Sequence, residues 1–158
     1  MIDLGVDEEG KPLVMRDFAL HEKILAVNFD NTIELWTCQS DKFERTGVKI
    51  TVSDWCRIHI VQRFSQTSLL IAESTHISYH NLSDLSLTLK VDENKVDSIH
   101  ISPCNRIMIS SFSNTTRIYD LETGCQILTH SAISLKPLIL TSDIYLFTDR
   151  KNISLVNF

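Results

Sequence analysis

The stretch SPCNRIMISSFSNTTRIYDLETGCQIL, residues 102–128, contains two short apolar segments on either side of a small polar segment. The apolar segments lie at 107–110 and 116–119, and the residues between them are mostly Ser, Asn and Thr. Side chains of these types hydrogen-bond to their own backbone and tolerate the dihedral angles of tight turns. The stretch therefore predicts two antiparallel β-strands joined by a turn at 113–116.

The same strand–turn–strand pattern recurs along the chain. The second strand of this pattern ends at Tyr119, and the matching strands of the other copies end at Trp36, His80 and Val156. Successive copies are therefore 44, 39 and 37 residues apart. The apolar strands ahead of the turns lie at 24–27, 69–72, 107–110 and 144–147. Self-similarity at a nearly constant period of this length indicates a repeat architecture.

Weaker alternating segments flank each pair of strands. They lie at 58–61, 98–101 and 138–140 on one side and at 48–52, 85–89 and 125–128 on the other. No segment carries a helical apolar stripe over three turns, so the sequence predicts an all-β chain with about four strands per unit. The predicted units cover 13–54, 55–95, 96–134 and 135–158, after a flexible acidic lead-in at 1–12.

Residues 99–128 resemble a WD40 repeat. Ser-Pro at 102–103 occupies the turn ahead of the small-residue strand, and Tyr119-Asp120 stands where the family has Trp-Asp. The first unit is similar through Asp30 and Trp36. The resemblance covers about 15–158 and implies stacked four-stranded antiparallel blades of a β-propeller.

The chain also departs from the family pattern. In WD40 repeats a His from a Gly-His dipeptide, a Ser, the turn Asp and the Trp form a hydrogen-bonded tetrad that fixes the blade. No unit here carries the Gly-His dipeptide, and only the first unit keeps both the Asp and the Trp. The resemblance therefore implies a diverged propeller whose structural repeat positions are Asp30, Trp36, Asn114, Tyr119, Asp120 and Asp149.

The number of units raises a further question. Propellers close with typically four to eight blades, whereas the pattern gives three full units and the first part of a fourth. Three explanations stay open: a piece of a larger propeller, self-pairing, or a partner that supplies the missing blades. We expect an incomplete propeller whose edge is completed by a protein partner or by a second copy.

Composition narrows the function classes. The net charge is −5 and the 15 Lys and Arg form no run, so we expect no direct nucleic-acid binding. The apolar runs are too short to span a bilayer and the N-terminus has no signal-peptide core, so we expect no membrane and an intracellular location, cytoplasmic or nuclear. The four cysteines form no CxxC pair, which favours free thiols.

Motifs for chemistry are missing from the sequence. It has no G-x-S-x-G elbow and no glycine-rich phosphate loop, so we expect no enzyme and no catalytic residue. His76 and His80 are four residues apart, which on one strand places them about 13 Å from each other, too far to chelate one ion. We therefore expect no metal and no cofactor.

Two functions remain. The first is a non-catalytic protein–protein interaction scaffold, a WD-repeat-like subunit of a larger assembly, since propeller loops and faces usually serve recognition. The alternative is a reader that binds a modified peptide or small ligand in a central pocket, with Asp30, Asn114 and Asp149 as polar lining. A scaffold should show a broad apolar or mixed face, and a reader one convergent pocket. The sequence does not indicate which residues bind the partner.

Overall fold

A computed structural model of the chain describes residues 10, 13–29, 31–53, 56–63, 66–93, 96–112, 115–130, 138–139, 144–148 and 153–157. Every regular element in this part of the chain is a β-strand. Among the described residues there is no helix long and apolar enough to cross a membrane. The predicted all-β fold class is confirmed.

The described strands form four antiparallel sheets, numbered here in chain order, and each strand pairs with the next one along the chain. Sheet 1 contains β1 (Met15–His21), β2 (Ile24–Phe29), β3 (Thr32–Gln39) and β4 (Lys42–Thr51). Sheet 2 contains β5 (Cys56–Arg63), β6 (Gln66–Glu73), β7 (His76–Asn81) and β8 (Leu87–Asp92). Sheet 3 contains β9 (Ser98–Ile101), β10 (Ile107–Phe112), β11 (Thr115–Asp120) and β12 (Gln126–His130). Sheet 4 contains β13 (Leu138–Ile139), β14 (Ile144–Thr148) and β15 (Ile153–Asn157).

The predicted division into a lead-in at 1–12 and a propeller domain at 13–158 stays a prediction. Residues 1–9 and 11–12 lie outside the described residues. The sequence analysis also names no first strand for the first unit, whereas the structure forms β1 there, paired with β2 from Met15 to His21. Between Arg16-Asp17 and His21, β1 has only three consecutive apolar residues, Phe18 to Leu20, so its sequence shows neither a long apolar run nor a clear alternation.

Two outer strands differ from the predicted ranges for local reasons. Strand β4 begins at Lys42 rather than at 48, because Ser40 and Asp41 both adopt positive φ angles, of 48° and 65°, and close a tight hairpin with β3. Strand β8 begins at Leu87 rather than at 85, because Leu85 has a φ angle of 57° and belongs to the turn.

Sheets 1, 2 and 3 pack face to face mainly through aliphatic side chains. Between sheets 1 and 2 the buried residues are Ala26, Ile33, Leu35, Cys56, Ile58, Leu69, Ile71, Leu82 and Leu85. Between sheets 2 and 3 they are Val61, Leu70, Ala72, Ile77, Tyr79, Val96, Ile99, Met108, Tyr119 and Leu121. Leu69 and Leu70 therefore point to opposite sides of sheet 2, as successive residues of a strand must. Sheet 2 is apolar on both faces and covered on both.

Cys56 and Tyr79 are two of the ionisable groups within these layers. The Sγ of Cys56 accepts a hydrogen bond from Nδ2 of Asn28 at 3.1 Å, and burial, followed by the charge of Glu73, raises the thiol pKa from 9.0 to about 12. The hydroxyl of Tyr79 donates to Sδ of Met108 at 3.7 Å, and burial raises its pKa from 10.0 to about 12. Both groups are held in their neutral forms by the fold.

These raised pKa values predict a loss of stability in alkaline solution. The folded chain binds these two protons more tightly than the unfolded chain, so their contribution is complete below about pH 9 and declines towards pH 12. We expect the free energy of unfolding, from urea titrations at each pH, to fall over this range. Cys104→Ala, at an exposed thiol, should leave the profile unchanged, and a flat profile up to pH 12 would contradict the packing of Cys56 and Tyr79.

Two leucines of sheet 2 provide a matched test of the layered core. Leu70 is buried between sheets 2 and 3, whereas Leu87 is an exposed residue of β8. We expect Leu70→Ala to lower the free energy of unfolding by about 2–5 kcal/mol, because it leaves a cavity. Leu87→Ala should change it by no more than about 0.5 kcal/mol. Equal effects in denaturant titrations would contradict the assignment of Leu70 to the core.

Candidate functional site

Equivalent positions in the first three sheets can be matched through the strand registers. We call the face of a sheet that points away from the next sheet its leading face. In sheet 1 the leading face carries Phe18, Leu20, Leu25, Val27, Glu34 and Trp36. In sheet 2 it carries Ile58, Ile60, Leu69, Ile71, Ser78 and His80. In sheet 3 it carries Ile99, Ile101, Met108, Ser110, Arg117 and Tyr119. Trp36, His80 and Tyr119 thus occupy the same place in their sheets.

In sheet 3, Tyr119 belongs to a buried polar network around Glu93, a residue between β8 and β9. The side chain of Glu93 is only 2% exposed. Its carboxylate accepts hydrogen bonds from the Tyr119 hydroxyl, from Oγ of Ser110 at 3.0 Å and from Nη1 of Arg117 at 2.6 Å. Burial and the hydrogen bond to Glu93 raise the pKa of Tyr119. The network fixes the segment between sheets 2 and 3 to the leading face of sheet 3.

Glu93 was not among the residues that the sequence analysis selected. In the WD40 pattern the polar residue ahead of the first strand is the His of a Gly-His dipeptide. Glu93 lies ahead of β9, the first strand of sheet 3, and is not part of such a dipeptide. A carboxylate can accept several hydrogen bonds, so Glu93 joins a Ser and an aromatic residue as the His of the tetrad does. The sequence carried no signal for this network, because Glu93 and Tyr119 are 26 residues apart and meet only in the fold. Asn114 lies outside the described residues.

In sheet 2, His80 takes the place of the aromatic residue and is buried. Its Nδ1 lies 2.8 Å from the carbonyl oxygen of Leu85, so this nitrogen carries the proton and donates. Its Nε2 lies 2.9 Å from Oγ of Ser78 and therefore accepts from the hydroxyl of Ser78 when the ring is neutral. A serine bonded to a histidine is also the geometry of an activated nucleophile. Ser78 is buried in the middle of a strand paired on both sides, which suits a structural bond.

The same face of sheet 2 borders a cleft of about 210 Å³. Its lining residues are Ile50, Thr51, Val52, Ile71, Glu73, His76, Ser78, His80, Leu87 and Lys90. Glu73 contacts Nε2 of His76 at 2.8 Å and accepts from the backbone N–H of Ser53 at 2.6 Å, so its carboxylate is already engaged within the fold. The described residues contain no group of three His, Cys, Asp or Glu that could hold a metal ion.

In sheet 1, the leading face is uncovered along its first strand. Phe18 and Leu20 of β1 are 56% and 55% exposed, whereas Ile58 and Ile99, at the place of Phe18 in the other sheets, are 2% and 7% exposed. Val14 and Met15, just ahead, are exposed as well. We call Val14, Met15, Phe18 and Leu20 the β1 strip. The β1 strip was not predicted from the sequence, because no strand was predicted ahead of residue 24.

Trp36 lies further across the same face and is buried. The guanidinium of Arg45 stacks over its ring at 5.1 Å from the centroid, and Phe29 packs at 6.4 Å between ring centroids. Its indole Nε1 is buried without a hydrogen-bond partner among the described residues. His80 and Tyr119, at the matching place, have their polar atoms bonded. Asp30, the predicted companion of Trp36, lies outside the described residues, as does Asp149.

Asp120, the remaining predicted repeat position, organises the turn after β11. Its Oδ1 accepts from the backbone N–H and from the hydroxyl of Thr123, both at 2.7 Å. Gly124 then adopts a φ angle of 72°, and a Cβ atom at this position would lie 2.6 Å from Cδ2 of Leu89 in sheet 2. Asp120 therefore has a structural role, in a turn that presses against the neighbouring sheet.

The chain is similar in structure to known proteins, although not in sequence. No protein-family model and no curated protein matches the sequence. The designed Ika4 protein is similar, with a TM-score of 0.65 and 13% identity over 99% of both chains. Hsv2 from Kluyvelomyces marxianus gives a TM-score of 0.59 with 6% identity over 90% of this chain and 47% of its own. KlHsv2 with loop 6CD replaced by a Gly-Ser linker gives a TM-score of 0.62 with 9% identity over 92% of this chain and 49% of its own.

Hsv2 is a propeller protein. The fold is that of stacked propeller blades. The present chain spans about half the length of the two Hsv2 structures. At these identities the likeness shows the fold alone.

The Glu93 network yields a stability prediction with a neighbouring control. We expect Glu93→Ala to lower the free energy of unfolding by about 3 kcal/mol, because it leaves Arg117 and the hydroxyls of Ser110 and Tyr119 without their acceptor. Asp92→Ala, next in sequence and with a side chain that is almost fully exposed, should leave the urea midpoint unchanged. A Glu93→Ala protein as stable as Asp92→Ala would show that the network contributes nothing.

Proposed function

We propose that the chain is a non-catalytic protein–protein interaction module, a scaffold subunit of a larger assembly, and that it binds through the leading face of sheet 1. The observation that supports this is the exposure of Phe18 and Leu20. At matching places in sheets 2 and 3, aliphatic residues are covered by the preceding sheet. Soluble proteins rarely leave contiguous large apolar side chains open unless the surface is used for binding.

The composition of the face also suits a protein interface. The registers place Leu20, Leu25, Trp36 and Arg45 in one row across sheet 1, and Phe18, Val27, Glu34 and Lys49 in the next. Each row is apolar on β1 and β2 and becomes charged towards β4. Leu25, Val27 and Trp36 in these rows are already buried, so the surface open to a partner is the apolar β1 strip. Charged residues lie on the other side of the face, and an apolar patch with polar surroundings is usual in a protein–protein contact.

The reader alternative has less support among the described residues. The cleft lies between sheets 1 and 2, against β4 of sheet 1 and β6, β7 and β8 of sheet 2. Its Glu73, His76, Ser78 and His80 already bond to one another or to backbone. The three residues proposed to line a central pocket, Asp30, Asn114 and Asp149, lie outside the described residues. We therefore favour the scaffold.

The proposal includes three expectations that rest on the sequence. We propose that the chain catalyses no reaction and needs no cofactor, since its sequence has no nucleophile elbow or phosphate loop. We propose that it contacts protein rather than nucleic acid, since its net charge is −5. We propose an intracellular location from its free cysteines.

Photocrosslinking tests the proposed face directly. With a benzophenone amino acid at position 18, we expect cross-links to protein, because this side chain is exposed in a surface built for contact. The same probe at position 127, an exposed apolar residue of β12, serves as the control. Mass spectrometry should identify more specific products from position 18. Equal yields of the same products from both positions would contradict the proposal.

A further inference from the structure

The cleft between sheets 1 and 2 lies at the place that the Glu93 network occupies between sheets 2 and 3. Val52 directly follows β4, the last strand of sheet 1, and Glu93 directly follows β8, the last strand of sheet 2. Each donates its backbone N–H to the turn between the two middle strands of its own sheet. Val52 donates to the carbonyl oxygen of Asn31 at 2.8 Å, and Glu93 donates to that of Thr75 at 3.0 Å. Val52 is therefore the equivalent of Glu93.

The partners of Glu93 also have equivalents, and all of them line the cleft. Three leading-face positions correspond, with sheet 3 named first: Ser110 and Ile71, Arg117 and Ser78, Tyr119 and His80. Where the contact between sheets 2 and 3 has Glu, Arg and Tyr, the contact between sheets 1 and 2 has the smaller Val, Ser and His. The cleft of about 210 Å³ therefore lies where larger side chains fill the equivalent contact.

The walls of the cleft suit an apolar ring that carries a hydrogen-bond donor. Its aliphatic lining residues are Ile50, Val52, Ile71 and Leu87. Glu73 adds a carboxylate, which already bonds to His76 at 2.8 Å and to a backbone N–H at 2.6 Å. An ionised carboxylate has about four lone-pair sites, so Glu73 can accept a further hydrogen bond.

The charges around the cleft narrow the class of ligand. Lys90 opposes a cation and Glu73 opposes an anion, whereas an uncharged donor meets neither repulsion. A phenol is such a donor at neutral pH. In the equivalent contact the hydroxyl of Tyr119 donates to the carboxylate of Glu93. The volume is also sufficient, since an apolar cavity of about 150 Å³ binds benzene.

We propose that the cleft between sheets 1 and 2 binds the side chain of a tyrosine presented by a protein partner. The ring packs on the aliphatic lining residues, and the hydroxyl donates to Glu73 as the hydroxyl of Tyr119 donates to Glu93. The protein partner as the source of the tyrosine rests on the proposed interaction function, whereas the binding of a phenol by the cleft does not. None of the lining residues belongs to the β1 strip, so this contact is separate from it.

Titration of the purified chain with N-acetyl-tyrosinamide, followed by the NMR chemical shifts of the backbone amides, tests the inference. We expect saturable shifts around the cleft with a dissociation constant in the millimolar range, because a single side chain makes few contacts. N-acetyl-phenylalaninamide lacks only the hydroxyl. It should bind about tenfold more weakly, because it cannot donate a hydrogen bond to Glu73.

Two variants that fill the cleft test its position. Val52→Phe places a ring in the cleft and should abolish the saturable shifts, whereas Ile127→Phe, at an exposed residue of β12, should retain them. Val52→Glu combined with Ser78→Arg and His80→Tyr rebuilds the Glu93 network at the equivalent place and should also abolish binding. Circular dichroism confirms that each variant is folded.

Three results would overturn the inference. They are the absence of saturable shifts at about 50 mM N-acetyl-tyrosinamide, equal affinities for the tyrosine and phenylalanine amides, and binding that survives Val52→Phe. None of them bears on the photocrosslinks from position 18, which test the interaction function separately. Failure of the cleft therefore leaves the β1 strip as a proposed contact, and failure of the β1 strip leaves the cleft as a site for a phenol.

Discussion

The structure depends on sheets that are apolar on both faces and therefore need a neighbour on each side. Leu69 and Leu70 of β6 are adjacent in sequence and fully buried in different layers, one against sheet 1 and one against sheet 3. A sheet with one solvated face would alternate apolar and polar residues, whereas β6 reads as a continuous apolar run. Sheet 2 therefore requires a neighbour on each side, and its stability depends on sheets 1 and 3.

Buried hydrogen bonds fix the segment between sheets 2 and 3 to sheet 3 and fix the β7–β8 turn within sheet 2. Aliphatic layers are tolerant of small shifts, whereas the carboxylate of Glu93 must meet Ser110, Arg117 and Tyr119 at defined distances. Sheet 2 uses His80 with Ser78 and Leu85 at the matching place. The same repeat position therefore holds three residue types, Trp36, His80 and Tyr119, and different polar partners. This divergence explains why the fold is recognised while no family model matches the sequence.

The sequence was sufficient to predict the fold because the repeat is visible in the spacing of its apolar segments. The paired strands at 24–36, 69–80 and 107–119 carry continuous apolar segments around polar turns, and these were located closely. Strand β1 was missed because its apolar residues after Met15 are only the three consecutive Phe18, Ala19 and Leu20, which give neither a long apolar run nor a clear alternation. The Glu93 network was missed because its members are far apart in sequence and depend on a tertiary contact. In both cases the site departs from the pattern that reveals the fold.

The proposed binding role of β1 rests on the exposure of its apolar side chains. A blade surface that is covered within the chain contributes to folding and is then unavailable, as at Ile58 and Ile99. The exposed apolar side chains of β1 keep the free energy that burial would release available for association, whereas Leu25, Val27 and Trp36 further across the face are already buried. Beyond them, Glu34, Arg45 and Lys49 carry charge on β3 and β4, so the open apolar surface is confined to the side nearest β1. The surface proposed for binding is therefore the outermost strand of a sheet whose other apolar residues already contribute to folding.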